Sequence, residues 1–161
     1  MRRPKSANRE PKSAYEQALG LLARREHSAR ELARKLAQRG HEDEDRNAAL
    51  AALKSKDFQS DERFGEMLVR TRIEAGYGPR WIVAELDQHG IGEAAARELI
   101  DAAAPDWAES ARRQLRRRHG GKGPGSPAER ARRAAFLLRR GFDASTVKLA
   151  LANGPAGSDA D

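Results

Sequence analysis

The stretch Ser28-Ala29-Arg30-Glu31-Leu32-Ala33-Arg34-Lys35-Leu36-Ala37-Gln38-Arg39-Gly40 reads as one short helix with both ends marked. Ser28 and Glu31 have the spacing of a capping box, in which serine accepts a first-turn amide and glutamate reaches back to the cap. Leu32 and Leu36 lie one turn apart on one side of the helix. Gly40 then supplies the left-handed residue at which such a helix stops.

Working outward, the same pattern returns twice. Gly78-Pro79 opens a segment that carries Ile82 and Leu86 and closes at Gly90, and Ser126-Pro127 opens one that carries Leu137 and closes at Gly141. Proline suits the first helical position because that amide has no partner there. Leu36, Leu86 and Leu137 each stand four residues before their glycine, and the glycines are 50 and 51 residues apart. Spacing of this kind marks an internal repeat. A helix led by Tyr15, Phe64 or Trp107 precedes each of these segments, and a third helix follows, over residues 45–54, 93–103 and 144–152. Asp43 and Asp143 are read as N-caps of the third helices, with Glu42 to Asp45 placing negative charge where the helix dipole favours it.

The predicted fold is therefore all-α, built of three tandem three-helix repeats at 13–58, 59–105 and 106–153, about nine helices of roughly 10–15 residues. A triplet of this size buries little surface by itself, so the repeats are expected to stack into an elongated or curved array. Residues 1–12 are read as a disordered basic arm, 154–161 as a disordered tail, and 119–126 as a flexible Gly-rich loop.

Composition agrees with helix. Of 161 residues, 30 are alanine and 15 leucine, against nine Val, Ile and Thr together, and propensity summed over such segments favours helix over strand. With no cysteine, disulfides, thiolate metal sites and cysteine nucleophiles are excluded. No signal peptide or membrane span is read, so the expected compartment is the cytoplasm. The net charge of +7 is uneven: +4 over residues 1–12, +1 over 13–58, −4 over 59–105 and +6 over 106–161. Basic ends around an acidic middle suit a polyanion at the ends and a protein surface between them.

Catalysis finds no support in the pattern. Gly121-Lys122-Gly123-Pro124-Gly125-Ser126 lacks the preceding strand and the spacing of a phosphate-binding loop, and reads as a linker. His27, His41, His89 and His119 form no metal-ligand pair, and no segment assembles a base, a nucleophile and an orienting group. No cofactor, metal or enzymatic activity is expected. Glu26 with Arg30 and Glu31 with Lys35 are read as solvated helix pairs. Tyr15, Phe58, Phe64, Trp107, Phe136 and Phe142 are read as core. Trp81 is assigned to packing in preference to stacking on a base.

The basic segments point to a partner. Arg112, Arg113, Arg116, Arg117 and Arg118 fall on one helix, and Arg130, Arg132, Arg133, Arg139 and Arg140 on the next, with Glu129 as the nearby acid. Solvated faces mix both signs, so this imbalance calls for an anion, and the guanidinium fork suits phosphate oxygens. Lys122 joins this set, and Arg24, Arg25 and Lys35 extend it into the first repeat. Contact with the backbone of single- or double-stranded DNA is expected, without base-specific readout.

Three stretches resemble the RecX regulators of the recombinase RecA. They are Arg25-Glu26-His27-Ser28 through Glu31-Leu32 and Leu36 to Gly40; Asp61-Glu62-Arg63-Phe64 followed by Arg72, Gly76, Gly78, Ile82, Glu85, Leu86 and Gly90-Ile91; and Leu137, Gly141-Phe142 and Val147. Together they span residues 14 to 152. The resemblance implies tandem three-helix repeats that lodge in the groove of a RecA filament on DNA. It implies blocked filament growth or promoted disassembly, with reduced strand exchange, ATP hydrolysis and coprotease activity, all by occupancy. A monomer is expected. The alternative reading is a stand-alone, non-sequence-specific DNA-binding protein, which would show salt-sensitive affinity without RecA.

Overall fold

A computed structural model describes residues 10–152. Residues 1–9 and 153–161, and with them most of the basic arm and all of the tail, lie outside the described residues. The described residues hold nine helices and no strand: α1 Ala14–Leu22, α2 Ala29–Gln38, α3 Asp43–Ser55, α4 Asp61–Glu74, α5 Pro79–Gln88, α6 Glu93–Ala103, α7 Trp107–His119, α8 Pro127–Arg139 and α9 Ala144–Ala152. The all-α expectation of three helix triplets holds.

The triplets share one way of ending the middle helix. Gly40, Gly90 and Gly141 have φ of +85°, +81° and +92°. Beyond each glycine, the amide of His41, Ile91 or Phe142 donates to the carbonyl of Leu36, Leu86 or Leu137, at 3.2, 3.0 and 3.2 Å. This bond satisfies a carbonyl left over at the helix end. It also holds the fully buried leucine of each triplet in one register.

Each triplet has its own core. Leu32, Leu36, Leu53 and Ala18 form the first; Phe64, Val69, Ile82, Leu86 and Ile100 the second; Leu115, Leu137, Phe142, Val147 and Leu151 the third. The chain divides into two compact units, one through Asp61 and one from Glu62.

In the second unit, α5 meets the end of α8 backbone to backbone. The amides of Gly78 and Arg80 donate to the carbonyls of Arg140 and Gly141 at 2.8 and 3.0 Å, so orphan donors of one helix satisfy orphan acceptors of another. Side chains do not fit there: a Cβ on Gly78 would lie 2.4 Å from the Gly141 carbonyl carbon. Trp107 packs against both cores of this unit and sets its edge on Phe142 at 6.3 Å.

Several local expectations need correction. The serine half of the box at Ser28 forms, its Oγ accepting from Glu31 N at 3.0 Å, but the Glu31 carboxylate turns to Arg25 and Lys35. The full reciprocal box is at Ser13 and Glu16. The N-cap of α3 is Glu42, and Asp43 is the first helical residue. Phe58 is 49% exposed. It lies past the end of α3, after left-handed Asp57, where helical spacing no longer decides which way a side chain faces.

Candidate nucleic-acid interface

In the first unit the predicted cations surround one carboxylate. Glu31 is buried on α2, and Arg25 donates to its two oxygens at 2.5 and 3.3 Å, while Lys35 Nζ lies 3.1 Å away. This is no solvated pair. Burial by itself would raise the Glu31 pKa; the Arg25 and Lys35 hydrogen bonds outweigh it and bring the value to about 2. His27, buried beside them, contacts the Arg25 carbonyl through Nδ1 at 3.0 Å and Lys35 Nζ through Nε2 at 3.3 Å. A lysine ammonium only donates, so Nε2 accepts and Nδ1 carries the proton. Burial holds the His27 pKa below its ordinary value. Arg25 and Lys35 are thus committed to the fold, whereas Arg24 is exposed with no ion pair among the described residues.

In the second unit the arginines divide by what they touch. Arg133 is 5% exposed; it pairs with Glu129 at 2.5 Å and donates to the carbonyls of Lys122 and Gly123 at 2.6 and 3.4 Å. Gly125 N donates to the same glutamate at 2.8 Å, and this bond, followed by Arg133, holds the Glu129 pKa low. The segment expected to be a flexible linker is therefore bonded at three backbone positions.

Arg140 is also internal. It donates to Ala75 O and Gln114 Oε1 at 3.3 and 3.2 Å and lies over the rings of Tyr77 and Phe136 at 4.5 and 5.7 Å. Arg130 reaches the Leu151 carbonyl at 3.1 Å. Glu109, which the charge count passed over, pairs with Arg116 at 2.5 Å and lies 3.8 Å from Arg112. The Arg116 hydrogen bond holds the Glu109 pKa low. These partners lie three and seven residues along one helix, a spacing visible in the sequence.

What is left is an exposed cationic set. Arg113 and Arg117 stand one turn apart on α7, and Arg132 and Arg139 two turns apart on α8; none makes an ion pair or side-chain hydrogen bond among the described residues. Arg118 is exposed and lies over Phe136 at 4.6 Å. Lys122 is exposed and engages only through its backbone. A recess of about 410 Å³ brings Arg112, Arg116 and Lys122 together over Leu115, Ala150 and Leu151. Its cationic rim and apolar floor suit an anion with an organic body.

Two ionic features outside this set explain residues that carried the resemblance. Arg72 on α4 grips Glu85 on α5 with two hydrogen bonds of 2.6 and 2.7 Å, locking two helices of the second triplet. Asp61 Oδ1 accepts from Ala29 N and from Gln59 Nε2, both at 2.9 Å, and so supports the start of α2. No helix among the described residues is long and apolar enough to cross a membrane.

Comparison with known proteins agrees with this architecture. Residues 14–53, 60–103 and 105–151 match, in that order, the first, second and third three-helix domains of RecX. The regulatory protein RecX of Stenotrophomonas maltophilia (strain K279a) is 46% identical over 149 residues, 91% of each chain. That of Xanthomonas campestris pv. campestris (strain B100) is 43% identical over 148 residues, again 91% of each. The crystal structure of RecX from Lactobacillus salivarius shares the fold, with a TM-score of 0.70 at 20% identity over 86% of this chain and 92% of that one. With all three domains matched in sequence order and close relatives aligned along nearly the whole length, the chain belongs to the RecX family of regulatory proteins.

Proposed function

We propose that this protein is a negative regulator of RecA that works by occupancy in the cytoplasm, as a monomer and without catalysis. It binds the RecA–DNA filament, blocks its extension or promotes its disassembly, and so lowers recombinase, ATPase and coprotease activities. Family membership supports the RecA partner. The observation that carries the DNA side is the set Arg113, Arg117, Arg132 and Arg139, exposed guanidiniums with no ion pair among the described residues. Such groups gain by displacing counterions from a polyphosphate. Arg133 is left out of the contact set because it is buried against Glu129, and Arg25, Lys35 and Arg140 rank below the four because internal partners already hold their side chains: Glu31 for the first two, Gln114 and the Ala75 carbonyl for the third.

The test is to add the full chain to preformed RecA–DNA–ATP filaments and follow ATP hydrolysis. Hydrolysis should fall at near-stoichiometric amounts or below. Unchanged hydrolysis with RecA saturated by DNA would defeat the reading. Inhibition only when DNA is left free to be sequestered would favour a stand-alone DNA-binding protein.

A further inference from the structure

Trp81 on α5 is 43% exposed, although its surroundings hold it firmly. One face lies nearly parallel to the Tyr77 ring, with centroids 4.7 Å apart and planes 24° from each other. Behind it stands the Gly141 backbone: a Cβ there would come within 2.5 Å of Trp81 N and 2.7 Å of its Cβ. Glu85, one turn further along α5, is fixed by Arg72. Tyr77 in turn is covered by Arg140 at 4.5 Å. The indole therefore packs one face on Tyr77, while its backbone and Cβ sit close against Gly141.

One face of the indole thus packs on Tyr77 while the other stays open, at 43% exposure of the residue. The charges beside it are mixed, with one open cation: Arg80 is 74% exposed and 3.7 Å from Asp143. An aromatic face next to a cation suits an unpaired nucleotide, since any base has a π-face to stack and a phosphate beside it meets positive charge. Bases in a duplex have their faces occupied by one another and offer no such surface.

We propose that the open face of Trp81 is a base-stacking site for one unpaired nucleotide, giving the protein a preference for single-stranded over duplex DNA. The inference rests on the DNA-contacting part of the function proposed above, and adds to it a contact with bases where the arginines contact only phosphates.

Binding of the full chain to a short thymidine strand is to be compared with binding to an abasic strand of equal length and charge. Wild type should bind the thymidine strand more tightly. Trp81→Ala should weaken that binding by about tenfold, within the range of measured stacking losses, and leave the abasic strand unaffected. Trp81→Phe should keep most of the affinity. With Trp107→Phe leaving Trp81 as the sole indole, the thymidine strand should quench fluorescence and the abasic strand should not. Equal binding of both strands by wild type, or no quenching at saturation, overturns the site even if Trp81→Ala fails to fold. Replacing Arg113 and Arg117 with alanine separates the two ideas: loss on both strands beside a silent Trp81→Ala sinks stacking alone. A chain that binds neither strand sinks stacking together with the phosphate reading.

Discussion

The guanidinium of Arg133 donates to the backbone carbonyl of Lys122 at 2.6 Å, so two residues that charge alone assigns to one DNA-binding track are bonded to each other. The geometry of the repeat explains why. Arg133 stands eight residues before Gly141, as Leu32 and Ile82 stand before Gly40 and Gly90, and all three are buried. Where the first two triplets place an aliphatic side chain, the third places an arginine whose head ties down the loop between α7 and α8. The loop carbonyls and Glu129 supply the acceptors that make its burial tolerable.

Arg133→Met should therefore act on stability. It leaves Glu129 and two loop carbonyls short of their donor, at a cost of about 2–3 kcal/mol, to be read from urea unfolding. Replacing Arg133 and Glu129 together by leucine should recover little of that loss, because the Lys122 and Gly123 carbonyls stay without their donor and Gly125 N loses its acceptor. Normal stability for Arg133→Met with a reduced salt dependence of DNA binding would return Arg133 to the interface.

Gly40 and Gly141 hold equivalent places but should respond differently to alanine. At Gly40 the φ is +85° and a Cβ meets nothing within 4 Å, so the cost is that of a left-handed alanine, about 1–2 kcal/mol. At Gly141 the φ is +92° and the Cβ would also strike Trp81 backbone, so the loss should be clearly larger. Thermal unfolding of the two variants measures the difference. Equal losses would mean that the contact between α5 and the end of α8 is loose.

The architecture was legible because its signals are local. Glycine after a leucine four residues back, and a serine or proline at the start, fix where each middle helix begins and ends, and the period of 50 and 51 residues shows three copies. The binding site was far less legible, because charge counting does not see partners distant in sequence. Arg140 finds Ala75 and Gln114, 65 and 26 residues away, and Arg133 finds loop carbonyls 11 and 10 residues back. Glu31 looked like one half of a surface pair because Lys35 is four residues on, but Arg25 on its other side draws it into a buried cluster. Trp81 reads as packing in preference to stacking because a sequence does not tell a covered face from an open one.

Acid should weaken the first unit in two stages. His27 has a pKa held below 6.5 by burial, so the unfolded chain takes up its proton first and stability declines as pH falls below about 6.5. Glu31 titrates at about 2 in the fold against 4.5 in its ordinary state, so its contribution is full above 4.5 and is lost as pH falls from there towards 2. That second stage is worth about 2 kcal/mol once the partial exposure of Arg25 is allowed for. Denaturant unfolding at a series of pH values should show both declines, with Glu31→Gln flattening the lower and His27→Gln the upper. A stability profile unchanged by either substitution would contradict the buried cluster.

The last prediction sorts the arginines by the salt dependence of DNA affinity. Each phosphate neutralised adds close to one to the slope of log affinity against log salt. Alanine at Arg113, Arg117, Arg132 or Arg139 should each lower the slope by about one while leaving stability nearly unchanged, since none of these side chains makes an ion pair or hydrogen bond among the described residues. Arg116 should have a smaller effect, because Glu109 already offsets its charge at 2.5 Å. Arg140→Ala should leave the slope alone and lower stability, its guanidinium being held by Gln114, Ala75 and two rings. Charge reversal at Arg113, Arg116 and Arg117 should abolish inhibition of RecA if phosphate contact places the protein on the filament. Inhibition that survives this reversal would show that protein contacts alone hold it there, and the exposed guanidiniums would then be no more than a solvated surface.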